Sequence, residues 1–119
     1  MMKEIFVSTS CLGNTRNLRD ILEIFCAYGI KNVELGGGLE YIDDIKYINR
    51  ISPPLNLIIH NYFPPVREPF VMNLAAQDEE IREKSMAVCK RAIELCRHFG
   101  AKLYSFHPGF RVEKTLGLE

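Results

Sequence analysis

Residues 55–65, LNLIIHNYFPP, constrain this chain more than any other stretch. A short, largely apolar run is bounded by Pro53-Pro54 on one side and Pro64-Pro65 on the other. Such a run reads as a strand buried on both faces, the pattern of a parallel sheet. In parallel sheets the functional groups gather where strands end at their C-terminal side. His60 stands at that position. Residues 101–106, AKLYSF, end the same way, in His107-Pro108-Gly109. Two strands of one sheet would therefore present an imidazole each at a common rim.

The remaining chain supplies the alternation that such a sheet requires. Residues 4–8 (EIFVS) form a first strand candidate, and residues 9–14 a loop. Asn14 or Thr15 then caps a helix whose Leu18, Ile21, Leu22, Phe25 and Cys26 share one face. Gly29 ends it in the left-handed conformation. Residues 30–35 (IKNVEL) form a second strand, closed by Gly36-Gly37-Gly38. A second helix carries Ile42, Ile45, Ile48 and Ile51 on one face until Pro53 stops it. The connection over residues 61–77 holds Arg67, Glu68 and Asn73, and loops of that length in compact domains are usually functional or disordered. Asp78 caps a third helix, with Glu79 and Glu80 near its N-terminal dipole. Its buried stripe is Ile81, Ser85, Val88, Cys89, Ala92, Ile93 and Cys96, and Gly100 ends it. The order β-α-β-α-β-α-β predicts a parallel sheet with right-handed crossovers over residues 1–110. The tail, 111–119, has no apolar period and is expected to be disordered.

A chain of 119 residues makes one domain at most. Fifteen basic residues balance fifteen acidic ones, which weighs against a dedicated nucleic-acid surface. No apolar run approaches the ~20 residues of a membrane span. The N-terminal stretch lacks the apolar core of a signal peptide, so a cytoplasmic protein is expected. Cys11, Cys26, Cys89 and Cys96 form no CxxC pair and no zinc-finger spacing. They read as buried, reduced thiols.

His60 and His107 are the metal candidates. Adjacent parallel strands lie ~4.8 Å apart, so imidazoles at their ends can converge on one ion at about 2.0–2.1 Å from each nitrogen. Two ligands are fewer than the three that catalytic zinc usually keeps. Glu34, near the end of the second strand, either adds a carboxylate to the same rim or points outward to pair with a lysine. The Gly36-Gly37-Gly38 loop matches neither GxGxxG nor GxxxxGK[ST] and reads as a tight turn rather than a phosphate cradle. His98, in the last turn of its helix, reads as a cation near the helix C-terminus.

Four segments, VELGGG at 33–38, HNYFPP at 60–65, FVMNLA at 70–75 and SFHPGF at 105–110, resemble the xylose isomerase-like TIM-barrel superfamily. That superfamily includes sugar-phosphate isomerases and epimerases and the endonuclease IV family of abasic-site nucleases. HNYFPP with the following NL is most similar to the sugar-phosphate branch, whereas HPG is shared with the nucleases. A (β/α)8 barrel takes about 250 residues, so the resemblance implies an N-terminal half barrel: four parallel strands with three helices.

The resemblance implies a metal-dependent isomerase or epimerase acting on a sugar or sugar phosphate, inactive as this chain alone. A divalent metal (zinc, manganese or magnesium) would be held partly by His60 and His107, the positions that match metal ligands in the nuclease branch. Glu34 is the catalytic candidate for moving the proton. Two alternatives are a metal-dependent phosphodiester hydrolase and a non-catalytic assembly module. A nuclease should carry basic rim loops, and residues 61–77 offer Arg67 and no lysine. A small sugar substrate is therefore expected rather than nucleic acid, together with self-association through open sheet edges.

Overall fold

The computed structural model describes residues 3–110; the tail expected at 111–119 lies outside the described residues. Four parallel strands form one sheet in the order β1 (Val7–Ser8), β2 (Asn32–Leu35), β3 (Asn56–His60) and β4 (Tyr104–Ser105). Three helical segments connect them in turn: α1 (Leu18–Ala27), a 3-10 helix (Ile45–Arg50) and α2 (Glu79–Phe99). A further 3-10 turn, Thr9–Cys11, follows β1 directly. This is the strand-and-helix order of a partial (β/α)8 barrel.

The sheet is held mostly by its two middle strands. Asn32, Val33, Glu34 and Leu35 pair with Asn56, Leu57, Ile58 and Ile59. The outer strands pair over two residues each, Val7 and Ser8 with Val33 and Glu34, and Tyr104 and Ser105 with Ile59 and His60. The outer strands are therefore shorter than the runs expected at 4–8 and 101–106.

Side chains alternate across a strand, and burial shows which side carries the core. Val33, Leu35, Leu57 and Ile59 pack with Leu18, Ile21, Leu22 and Phe25 of α1 and with Ala92 and Leu95 of α2. Each fully buried aliphatic or aromatic side chain here contributes about 1.5–3 kcal/mol relative to exposure. The opposite face presents Ser8, Glu34, Ile58, His60 and Ser105, all half-buried. In a closed barrel that second face would line the interior.

The helices depart from expectation in physically informative ways. The α1 cap is Asn17, whose side chain accepts the Asp20 N–H at 3.1 Å. Asn14, Thr15 and Asn17 all have capping chemistry, and Leu18 opens the apolar period immediately after the last of them. The second helix is 3-10 rather than α. Its isoleucines, 42, 45, 48 and 51, recur every three residues, and three residues per turn is the 3-10 repeat. In α2 the cap is Asp78, accepting Glu80 N–H at 2.9 Å and Ile81 N–H at 3.3 Å. Leu95 joins its buried stripe, while Ile93 is 49 % exposed. Stepping by three from Ala92 reaches Leu95, whereas Ile93 lies a further ~100° around the helix. Gly100 ends α2 at φ +66°.

One other expectation is corrected. Cys11 and Cys26 are exposed and Cys96 is half-buried, so only Cys89 is a buried thiol. Asn49 Nδ2 donates to His98 Nε2 at 3.0 Å and to the His98 carbonyl at 3.2 Å. His98, in the last turn of α2 as expected, thus also ties that helix to the 3-10 helix. Among the described residues no helix is long and apolar enough to cross a membrane.

Candidate functional site

The two rim histidines meet. The rings of His60 and His107 stand edge to face, their centroids 5.3 Å apart at an interplanar angle of 88°. His60 is half-buried and His107 exposed. Parallel pairing sets this up, because His60 is in register with Ser105, and two residues further on His107 returns to the same side of the chain. The pairing also places Ser105 Oγ 2.8 Å from His60 Nδ1. That contact fixes the plane of the imidazole and leaves Nε2 as the nitrogen open to a ligand.

Glu34 lies on the same face of the sheet, one strand away. Its register partners are Ser8 on β1 and Ile58 on β3. A Cβ added at Gly36 would stand 3.2 Å from Ser8 Oγ and 3.9 Å from Glu34 Oε1. The carboxylate thus turns toward the inner face near Ser8, not outward to a lysine, and it forms no ion pair with any described residue. It sits one step short of the rim relative to His60. Accordingly, no cluster of three or more His, Cys, Asp or Glu side chains suited to a metal occurs among the described residues.

The long connection after β3 is an ordered brace rather than an open loop. Asn73 is buried, and its backbone N–H donates to Ser85 Oγ of α2 at 2.8 Å. Ser85 Oγ in turn donates to the Ile81 carbonyl at 2.6 Å. Asn73 Oδ1 accepts the N–H groups of Ala75 at 3.0 Å and Phe110 at 3.2 Å. Leu74 N–H donates to the Pro108 carbonyl at 2.9 Å. The segment that follows His60 therefore grips the segment that carries His107. Gly109 makes this grip possible: its φ is +155°, and a Cβ there would collide with Asn73 Oδ1.

The Gly36-Gly37-Gly38 turn is gripped as well. Gly36 N–H donates to the buried Thr9 Oγ1 at 3.0 Å, and Arg16 Nε donates to the Gly38 carbonyl at 2.8 Å. These contacts occupy the turn with protein groups, as a structural turn requires. Asn61, immediately after His60, keeps a buried Oδ1 with no hydrogen-bond partner among the described residues.

Ser105 is the rim residue that the sequence reading did not single out; Asn73 was named only as part of the long connection and Ser85 only as part of a buried stripe. Ser105 was within reach of it: counting back two from His107 along a strand lands on the same face. Ser85 was legible only as a polar residue inside an apolar stripe. Outside the rim, burial pushes the Tyr47 phenol up to about 12. Burial and its hydrogen bond to Cys89 also raise the Tyr104 phenol.

Two imidazoles, one at the end of β3 and one just beyond β4, are good donors for zinc and other divalent transition metals. With a serine behind one of them, they fit one edge of a coordination sphere. The described residues do not supply the other ligands.

Comparison with known proteins agrees with this architecture. The 'Probable endonuclease 4' of Aquifex aeolicus is 43% identical over 44 residues, which span 37% of this chain and 16% of that protein. The protein of the same name from Mycoplasma pneumoniae is 38% identical over 50 residues, 42% of this chain and 18% of that one. A third, from Thermotoga petrophila, is 38% identical over 40 residues, 34% of this chain and 14% of its own length. The matched stretches thus span less than a fifth of each of these relatives. No solved structure gives a significant match. A family model described as xylose isomerase-like TIM barrel matches residues 38–118, more than half of the chain. The chain belongs to the xylose isomerase-like TIM-barrel family.

Proposed function

We propose that this chain provides one edge of a divalent-metal site in an enzyme that isomerises or epimerises a sugar phosphate. The observation that carries the reading is the edge-to-face pair of His60 and His107 at one rim of a parallel sheet. A bound divalent ion supplies electrophilic stabilisation to a carbonyl oxygen as negative charge develops there. For His60 to bind through Nε2, its Nδ1 must carry the proton and donate it to Ser105 Oγ. Glu34 is the base: its carboxylate is on the same face, half-buried and without a salt-bridge partner among the described residues. In isomerisation it takes a proton from the carbon beside the carbonyl and returns it to the carbonyl carbon, while the hydroxyl proton of the first carbon passes to the carbonyl oxygen.

Two measurements test this reading. Metal analysis of purified protein should show loss of bound zinc or manganese in His60→Ala and in His107→Ala, but not in His98→Ala. Unchanged metal content in either rim variant would rule the site out. Deuterium incorporation from heavy water into ketose phosphates should be absent for the 119-residue chain. It should appear when the chain is joined to a family member's C-terminal half to give eight strands. Glu34→Gln should lower that exchange at least 100-fold, consistent with removal of a general base. Equal exchange by the Gln variant would exclude Glu34.

A second reading, metal-dependent hydrolysis of a phosphodiester at an abasic site, is favoured by the names of the relatives. It uses the same two histidines without a proton-moving Glu34. Cleavage of an abasic duplex by the joined protein, unaffected by Glu34→Gln, would select it.

A further inference from the structure

A cavity of about 260 Å³ opens beside the histidine rim, lined by Arg16, Gly38, Leu39, Tyr62, Pro65, Val66, Pro69, Phe70 and Val71. Arg16 follows β1, Gly38 and Leu39 follow β2, and Tyr62 onward follow β3. The cavity is thus built from three loops at the C-terminal ends of neighbouring strands. Tyr62 is two residues beyond His60, so the cavity and the histidine pair share a rim.

Its chemistry is sharply divided. Leu39, Val66, Phe70, Val71 and two prolines make an apolar wall, and the Tyr62 hydroxyl oxygen already accepts the Met72 N–H at 3.3 Å. A polyol pressed against this wall would leave its hydroxyls unpaired, which is costly. A flat ring laid with one apolar face on the wall and its polar edges toward solvent would not. Arg16 is the cation of the cavity. Its Nε is committed to the Gly38 carbonyl at 2.8 Å, which fixes the guanidinium plane and leaves both terminal nitrogens free of any carboxylate among the described residues. Four other arginines are engaged, Arg50 by Asp44, Arg67 by Asp43 and the Tyr41 ring, Arg91 by Glu94 and Arg19 by the Tyr47 ring, and none of these lines the cavity. A fixed, unpaired guanidinium suits bidentate binding of a phosphate. The cavity is small beside the roughly 300–1,000 Å³ of drug-sized pockets, so it accommodates one ring system rather than an extended ligand.

The geometry points to a nucleotide subsite: the cavity holds a nucleobase against its apolar wall and the attached phosphate on Arg16. This names the substrate class at the rim as a nucleotide-linked sugar phosphate. It rests on the function proposed above only for the sugar that adjoins His60 and His107. The nucleotide unit is that of a free nucleotide or nucleotide sugar.

Calorimetric titration of the purified chain, with metals chelated, separates this subsite from the metal chemistry. The probes are adenosine 5′-monophosphate, adenosine, ribose 5-phosphate and a short single-stranded oligonucleotide. The monophosphate should bind at least tenfold more tightly than either adenosine or ribose 5-phosphate. Arg16→Gln should reduce its affinity to that of adenosine. Val66→Asp, at a position 37 % exposed and so tolerant of substitution, should abolish binding by setting a carboxylate in the wall. His60→Ala should leave it unchanged, so loss of metal or of deuterium exchange does not bear on the result. An oligonucleotide bound more tightly than the monophosphate would assign the cavity to a strand and overturn the proposal; weaker or equal binding supports a free nucleotide. Equal affinity for ribose 5-phosphate, no binding of any probe, or insensitivity to both cavity variants would overturn the proposal.

Discussion

Tyr47 shows most directly what single residues determine in this chain. Its ring is 7 % exposed, Arg19 stacks over it at 4.1 Å, and its hydroxyl has no partner among the described residues. An unpaired buried hydroxyl costs roughly 1–3 kcal/mol, so Tyr47→Phe is expected to be neutral or to stabilise by up to about 1 kcal/mol. Urea unfolding measures this, and a loss above about 1 kcal/mol would show that the hydroxyl is bonded after all. Burial also holds the phenol neutral until about pH 12. A phenol in the unfolded chain ionises near pH 10, so the unfolded state sheds its proton first. The stability linked to this group is complete below about pH 10 and is lost as the pH rises toward 12. Absorbance at an alkaline tyrosinate band should therefore rise together with unfolding, and Tyr47→Phe should weaken that dependence. The same scale explains why the rim positions of His60 and His107 were legible in the sequence and the contacts of Asn73 were not. The histidines end apolar strands and announce themselves by position. Asn73 sits in an aperiodic loop, and only the folded chain brings Ser85 and Phe110 to it.

Among the elements, the order of strands and helices was read correctly, while their ends moved and one helix proved to be 3-10. Local pattern decides which periodicity a segment has, but pairing partners decide how far a strand extends. Val7 and Ser8 count as strand because Val33 and Glu34 lie beside them, and residues before Val7 have no partner of that sort. The isoleucine repeat of three similarly carried its own answer, a 3-10 helix, which an expectation of α-helix overlooked. The segment after β4 is the element on which the site most depends. Gly109→Ala would place a methyl against Asn73 Oδ1 at a φ that side chains rarely adopt. We expect it to displace residues 107–110 and to lower metal content as far as His107→Ala does. Helical circular dichroism should stay near the parent value, because α1 and α2 pack on the other side of the sheet. Retained metal in this variant would show that the brace does not position His107.

For the whole molecule, the sheet ends in two edges, β1 and β4, among the described residues. Ile5 is 79 % exposed, Leu103 54 % and Phe106 41 %, so apolar side chains flank unpaired backbone at both edges. Such edges pair readily with another chain, and the inner face adds half-buried Ile58. The 119-residue chain should therefore self-associate at micromolar concentration. Light scattering that shows a compact monomer across that range, with one cooperative unfolding transition, would contradict this. The brace at Asn73 has a consequence for how the molecule breathes. One side-chain oxygen holds an amide on the β3 side, Ala75, and an amide on the β4 side, Phe110, while Leu74 holds the Pro108 carbonyl. Neither loop can leave without releasing the other, so the two should open as a single cooperative unit rather than fray separately. In hydrogen exchange, the amides of Leu74, Ala75 and Phe110 should share one opening free energy, and Asn73→Ala should lower all three together. The two histidines then gain or lose their alignment in one event, and any ion they hold would be captured or released by a two-state closure.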